Sequence, residues 1–361
     1  MYKREETKKV KIGNISIGHS KNVIIQSMCN TKTYDAKSTV RQILELEKNG
    51  CEIVRVSVPD EKSAKALESI KDKIHIPLVA DIHFDYRLAI MAIDRGVDKI
   101  RINPGNIGDE DNIRQVVSAC KKKKIPIRIG VNSGSLSKKI LKRHSGKVTA
   151  MGLFESAREN IEILEKLNFN DIVVSIKSSD IIKNIDACKM FAKKYRYPLH
   201  LGITESGSVM TGSIKSAVGL GTLLYEGIGD TIRVSLTGDP KNEIFAAKKI
   251  LQSLGIRKTG IDIISCPTCA RTNIDLDLIV KNVEEKLSVV RYENAFKDKV
   301  YKVAIMGCVV NGPGEAKEAD VGLAGGNGEA VLFRKGIPLK KVKEKDAIKE
   351  LLKCIDADIK K

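Results

Sequence analysis

From residue 22 to residue 253, short β-branched runs alternate with longer stretches in which apolar residues recur every three or four positions. Runs of the first kind read as strands and those of the second as amphipathic helices, so the alternation predicts a parallel βα array. Eight strand runs follow one another: NVIIQS, EIVRVS, PLVADIH, KIRIN, PIRIG, DIVVSIK, LHLGIT and TIRVSL. Between them lie helical patterns such as STVRQILELEKNG, DYRLAIMAIDRG and ESARENIEILEKLN. Several close on Gly or Asn, the residues that most easily turn a helix end. Eight consecutive units in about 230 residues fit a closed TIM (β/α)8 barrel better than an open doubly wound sheet.

After LQSLGIRKTG the rhythm breaks. A short strand, IDIIS, leads into CPTC. A helix over about 274–288, strands near 301–305, 318–323 and 330–334 and a closing helix complete a smaller α+β domain. The expected division is 1–258 for the barrel and 259–361 for the second domain, with a short connection between them.

Composition narrows the functional classes. The start, MYKREETKKVKIG, has no apolar segment behind its charges, and nowhere do apolar residues run long enough to span a bilayer. The expectation is a cytoplasmic protein. Eight cysteines in 361 residues are too sparse for a disulfide scaffold, and Cys51, Cys120, Cys188 and Cys354 sit in apolar or amphipathic stretches that read as core. A net charge of +18 attracts nucleic acid, acidic lipid, anionic metabolites and acidic proteins alike. With aromatics at 4% and no Trp, stacking platforms are poorly supplied, and no nucleic-acid partner is expected.

Candidate chemistry lies at the C-terminal ends of the barrel strands, where βα barrels carry their reactive groups. Those ends supply Gln26, Ser27, Arg55, Ser57, Asp81, His83, Arg101, Asn103, Arg128, Asn132, Ser175, Lys177, His200, Thr204, Glu205, Arg233 and Ser235. Cations inside β-branched runs are costly unless they are paired or aimed at a ligand. Arg55, Arg101, Arg128, Lys177 and Arg233, from five strands, therefore predict a polyanionic substrate such as a diphosphate. Some of them could instead pair with Asp81, Glu205 or other acids as structural bridges. In the second domain Cys266, Cys269 and Cys308 have the spread of a metal or cluster site. No His follows His200, so zinc would have to recruit Cys354. Three thiolates with an oxygen-donating fourth ligand would suit a 4Fe-4S cluster.

The motifs VIIQSMCNTKTYD, ADIHFDYRLA, KIRINPGNIG, LHLGITESG, GIGDTIRVSLTGDP, CPTCART and MGCVVNGPGEAKEADVG together resemble the 4-hydroxy-3-methylbut-2-enyl diphosphate synthase family of the methylerythritol phosphate route to isoprenoids. The resemblance covers nearly the whole chain. It implies a TIM barrel followed by a sulfite/nitrite reductase-like iron-sulfur domain. The implied reaction is reductive ring opening of 2-C-methyl-D-erythritol 2,4-cyclodiphosphate. It also implies Cys266, Cys269 and Cys308 as thiolate ligands of a 4Fe-4S cluster, Glu315 as its carboxylate ligand, and Glu205 as the catalytic carboxylate of the barrel. Arg55, Arg101, Arg128, Asn132 and Lys177 match the diphosphate-binding positions, and His83, His200, Arg233 and Ser235 join them as strand-end candidates. The implied partners are ferredoxin or flavodoxin as electron donor, and a second copy in a head-to-tail homodimer with shared active sites. One departure is Cys29, where the family more often has Thr, which would leave an oxidisable thiol at the site mouth. A pterin-binding barrel of the dihydropteroate synthase type is the alternative enzyme, having an anionic pocket but no cluster.

Overall fold

The computed structural model describes residues 3–287, 292, 295, 296, 299–308 and 316–360. The chain forms two compact units, Met1–Arg257 and Lys258–Lys361.

In the first unit the strands β3 (Ile24–Met28), β4 (Ile53–Ser57), β5 (Leu78–Asp81), β6 (Lys99–Ile102), β7 (Ile127–Asn132), β8 (Ile172–Lys177), β9 (His200–Leu201) and β10 (Thr231–Ile232) form one parallel sheet in the order β8-β7-β6-β5-β4-β3-β10-β9. A parallel bridge from Val174 to Leu199 returns the last strand to the first. The sheet is therefore a closed eight-stranded barrel. Around it pack α1 (Ala36–Lys48), α2 (Glu61–Lys71), α3 (Tyr86–Asp94), α4 (Glu110–Lys123), α5 (Lys138–Arg143), α6 (Ala150–Lys166), α7 (Ile181–Lys194), α8 (Val209–Tyr225) and α9 (Pro240–Ser253). Each opens on an Asp, Ser or Thr whose side chain accepts a backbone N–H of the first turn. Such a cap fixes where a helix starts and contributes about 1 kcal/mol.

A hairpin that the hydrophobic pattern did not predict precedes the barrel. β1 (Val10–Ile12) and β2 (Ile15–Ile17) pair antiparallel, and Val10, Ile12 and Ile17 pack on Ile53, Val79 and Val173. Ile53 and Val79 open or nearly open their strands, so the hairpin stops the N-terminal end of the barrel with apolar side chains. The polar groups are left to the other end.

The segment before the hairpin is tied down by Asp230. Its carboxylate accepts from the Thr7 hydroxyl at 2.7 Å and from the Leu199 N–H at 2.8 Å. Burial nevertheless raises its pKa to about 6, against those two bonds and Arg4. An unfolded Asp titrates near pH ~4, so between about pH 4 and 6 the folded state holds the extra proton. Stability from this group is greatest below pH ~4 and falls by roughly 3 kcal/mol as pH rises through ~6. Asp230→Asn should flatten that segment. Denaturant melts at pH 4 and 6.5 check it, the wild type losing more stability than the variant across the interval.

The second unit holds a five-stranded sheet in the order β11 (Ile261–Ser265), β12 (Tyr301–Met306), β13 (Val321–Gly325), β14 (Glu329–Arg334), β15 (Ile337–Lys343). The first three strands are parallel and the last two pairings antiparallel. α10 (Leu276–Leu287) and α11 (Ala347–Ile359) bury Ile279, Val283, Leu351 and Ile355 with Val303, Ile305 and Leu323. Ala304, Met306, Ala324 and Phe333 form a second cluster, as alternation along the strands requires. β15 is an edge strand with Lys340, Lys341 and Lys343 on it, a charge pattern that discourages pairing with other chains. Among the described residues no helix is long and apolar enough to cross a membrane.

Candidate active site

Alternate side chains of a strand point into the barrel, and the inward rows here carry the cations picked out in the sequence. The register sets Asp81 beside Ser57 on one side and Arg101 on the other, Arg101 beside Arg128, and Asn132 beside Lys177. Two glycines make room for the longest of these. A Cβ on Gly130 would lie 2.2 Å from Arg101 Nε, and one on Gly202 would lie 2.6 Å from Lys177 Nζ.

One carboxylate organises the mouth. Asp81 meets Arg101 Nη1 at 3.2 Å, His83 Nε2 at 3.3 Å and Arg55 Nε at 3.8 Å. Burial alone would raise its pKa. Arg55, the hydrogen bond from His83, Arg101 and Arg128 outweigh burial and hold it well below the usual carboxylate range. Arg55 also lies 2.8 Å from the Met28 sulfur. Burial pushes this guanidinium down to about 10 against the pull of Asp81, so it is charged at neutral pH. Arg233 is engaged differently: its Nε and Nη2 bind Glu243 at 3.1 and 3.0 Å, and Ser27 donates to the same carboxylate at 2.9 Å. The structural bridges anticipated for some of the five cations are thus present at Arg55 and Arg101, with Asp81, and at Arg233, with an acid from α9 that the sequence did not single out.

The other cations lack such partners. Arg128 is buried with no hydrogen bond to Nε or Nη2. Lys177 is buried, and burial, followed by Arg128 and Arg55, pushes its pKa well down. His200 is fully buried, its Nδ1 2.8 Å from the Thr231 hydroxyl and its Nε2 without a partner. Burial first, then Arg128, Lys177 and Lys99, keep it neutral. The four guanidiniums of Arg55, Arg101, Arg128 and Arg233 outnumber the carboxylates Asp81, Glu243 and Glu205 and leave the barrel mouth electropositive.

A pocket of about 250 Å³ opens at this mouth, lined by His83, Phe84, Arg101, Asn103, Asn132, Ser135, Thr204 and Glu205 among others. It brings together six of the residues marked in the sequence: His83, Arg101, Asn103, Asn132, Thr204 and Glu205. Glu205 is its carboxylate, exposed and held at φ 55°, a left-handed conformation that costs a non-glycine residue about 1 kcal/mol or more. Arg55, Arg128, Lys177 and His200 are not among the residues lining it; Ser235 is half-buried beyond β10.

In the second unit, Cys266 follows β11 and Cys308 lies just past β12. These strands are parallel neighbours, with Ser265 opposite Ile305, so both thiols emerge at the same end of the sheet. The Gly307 N–H donates to Cys266 Sγ at 3.2 Å. A Cβ on Gly307 would come within 2.8 Å of the Thr272 hydroxyl, which in turn accepts from the Cys269 N–H at 3.2 Å. Glycine at that position lets the CPTC loop seat on the strand end. Cys269 is exposed, and hydrogen bonds from the Arg271 backbone and side chain lower its pKa. Among the described residues no three His, Cys, Asp or Glu side chains are gathered closely enough to hold a metal ion. Glu315 lies outside the described residues.

The core cysteines read from the sequence are buried at 51, 120 and 188 and half-buried at 354. Cys29 departs from expectation: it is buried, and burial followed by Cys51 pushes its thiol up to about 12, against a smaller pull from Arg233. A thiol so rarely ionised is not the oxidisable group expected at the mouth.

Comparison with known proteins decides the family. The GcpE TIM-barrel domain matches residues 7–248 and the GcpE protein C-terminal domain matches residues 262–357. The chain belongs to the GcpE family. A GcpE relative from Clostridium perfringens, named 4-hydroxy-3-methylbut-2-en-1-yl diphosphate synthase (flavodoxin), is 59% identical over 98% of this chain and 99% of its own. A relative of the same name from Caldanaerobacter subterraneus subsp. tengcongensis is 55% identical over 99% of this chain and 98% of its own. Among solved structures, the HPPK-DHPS of Plasmodium falciparum matches with a TM-score of 0.51 at 12% identity, covering 69% of this chain and 50% of that one. At that identity the likeness is one of fold. The pterin-binding alternative therefore reflects a shared barrel, while GcpE membership rests on both units.

Proposed function

We propose that this chain carries out the two-electron reductive ring opening of 2-C-methyl-D-erythritol 2,4-cyclodiphosphate to 4-hydroxy-3-methylbut-2-enyl diphosphate, with loss of a hydroxyl as water. The observation that carries this is the barrel mouth: Arg55, Arg101 and Arg128 converge on the single carboxylate of Asp81, and Lys177 is buried close to Arg128 and Arg55. That excess of positive charge suits two linked phosphates. Arg101 and Asn132 would bind the diphosphate from the pocket wall, with Arg128 and Lys177 beneath. Asp81 would fix the Arg55 and Arg101 guanidinium planes and orient His83. Glu205, which lines the same pocket, would carry the proton for the departing hydroxyl.

Cys266, Cys269 and Cys308, with Glu315, would hold a 4Fe-4S cluster. The donor chemistry fits. Two thiols leave adjacent parallel strands at the same end, a backbone N–H already points at Cys266 Sγ, and hydrogen bonds from Arg271 lower the pKa of Cys269. Such a group supplies electrons one at a time and an iron with an exchangeable oxygen ligand. The relatives' names carry flavodoxin, and a chain of net charge +18 would steer an acidic electron donor of that kind. Anaerobic turnover of the cyclic diphosphate with reduced flavodoxin or ferredoxin tests the proposal. An iron-free preparation with full activity would overturn it.

The proposed assembly is a homodimer in which one chain's barrel works with the other's cluster domain. Its support is an apolar outer face on α8, where Met210, Ile214, Val218 and Tyr225 are exposed beside a groove shared with Phe245 of α9. Faces of this kind mark association surfaces. Mixing an Arg128→Leu chain with a Cys266→Ala chain should restore roughly a quarter of full activity if sites are shared, because random assortment makes half the dimers mixed with one intact site each. No recovery in demonstrated mixed dimers overturns sharing.

A further inference from the structure

At the mouth and below it, the inward rows carry buried polar side chains that lack partners. Gln26, Lys99, Arg128, Ser175 and His200 are all buried, and each has at least one side-chain nitrogen or oxygen with no hydrogen-bond partner. Lys99 is the extreme case. It is 0% exposed, its ammonium nitrogen has no partner, and it lies two residues below Arg101 on the same inward row of β6, about 7 Å along the strand. An amine buried without a partner costs several kcal/mol of stability, so the position calls for a ligand.

We propose that Lys99 is a further anion-binding residue, its amine forming the floor of the polyphosphate site beneath Arg128. This deepens the function proposed above and rests on it.

The side chains that face the barrel interior around Lys99 are basic, His200 among them in its neutral form. Arg55 faces the barrel interior from β4, Arg101 from Lys99's own strand, Arg128 from β7, Lys177 from β8, His200 from β9 and Arg233 from beyond β10. The acids are already engaged: Asp81 with Arg55, Arg101 and His83, Glu243 with Arg233, and the neighbouring Asp98 with Lys71 and the Leu78 N–H. Burial first, then the charges of Arg128 and Arg55, hold the Lys99 amine well below its ordinary pKa, Asp98 opposing weakly. A polyanion seated on Arg128 and Arg55 cancels those charges. The amine then takes a proton from solvent and closes on the anion, so binding is coupled to proton uptake. Gln26 and Ser175, on the inward rows of β3 and β8, can complete the floor with neutral donors.

Calorimetric titration of the anaerobic holoprotein with inorganic pyrophosphate, in buffers of different ionisation enthalpy at pH 8, counts the protons. Lys99→Met keeps length and bulk without the amine, and Lys99→Gln is the second variant. The wild type should take up more protons per pyrophosphate than either variant, by up to about one. Both variants should bind pyrophosphate about tenfold more weakly, as loss of one charged contact predicts. Lys99→Met should also melt no lower than wild type without the anion. Equal proton counts with equal affinity overturn the role of Lys99 while leaving the polyanion site standing. Failure of both variants to fold would mean that the amine serves the fold, and overturns it too. A wild type that does not bind pyrophosphate overturns the polyanion reading and this assignment together.

Discussion

Replacing Arg128 by leucine is expected to lower kcat/KM about a thousandfold while leaving the free protein as stable as wild type or more so. The first effect follows from its place among the mouth cations. A buried, charge-assisted contact to a bound anion contributes about 4 kcal/mol, which is about a thousandfold in rate. The second follows from what Arg128 lacks. It is 1% exposed, Nε and Nη2 have no partner, and Asp81 is the nearest opposing charge, already shared with two other arginines. Burial and the charges of Arg55 and Arg101 all work against its charged form, yet a guanidinium keeps its proton at neutral pH. The free fold therefore bears an uncompensated charge, and an apolar replacement of similar volume is worth about 1 to 4 kcal/mol in stability. Steady-state kinetics beside thermal melts of the ligand-free protein check both halves. Equal losses of activity and stability would make Arg128 a structural residue.

The barrel was legible because its strands are β-branched runs of ordinary length and its helices carry strong caps. The mouth was legible for a related reason: Arg in IVRVS, KIRIN and PIRIG breaks an apolar pattern at inward positions, where only a ligand or a partner justifies it. Which of those two applies could not be read locally. Arg233 looks like Arg128 along the chain, but its acid, Glu243, comes from the next helix and only the fold brings them together. Lys99 precedes Arg101 by two residues, so period-two counting would have placed it on the same row; as the first residue of its strand it reads instead as a flank. The β1–β2 hairpin escaped because strands of three residues with Lys11 and Ser16 outward give almost no periodicity. β15 escaped because its lysines, which guard an exposed edge, resemble a loop. CPTC declared itself by spacing, but that Cys266 and Cys308 leave neighbouring parallel strands is a fact of topology alone.

Cys308→Ser is expected to strip iron from the protein and lower activity by at least about a hundredfold, since loss of even outer-shell support costs up to that much at metal sites. Serine nearly matches the thiol in size, so the buried position past β12 should tolerate it and the sheet should hold. A hydroxyl, however, is a poor substitute for thiolate on iron. The barrel is a separate compact unit, so pyrophosphate binding at its mouth should stay at the wild-type level. Cys354→Ser serves as the control. That thiol is half-buried on α11 among Ile348, Leu352 and their neighbours, and a four-thiol zinc site would have to recruit it. Cys354→Ser should therefore keep its iron and visible absorption, and Cys308→Ser should lose both. Metal analysis and anaerobic absorption spectra of the two variants separate the cases. Zinc in the wild type that disappears in both variants would replace the cluster with a zinc site, and full iron in Cys308→Ser would remove that cysteine from the ligand set.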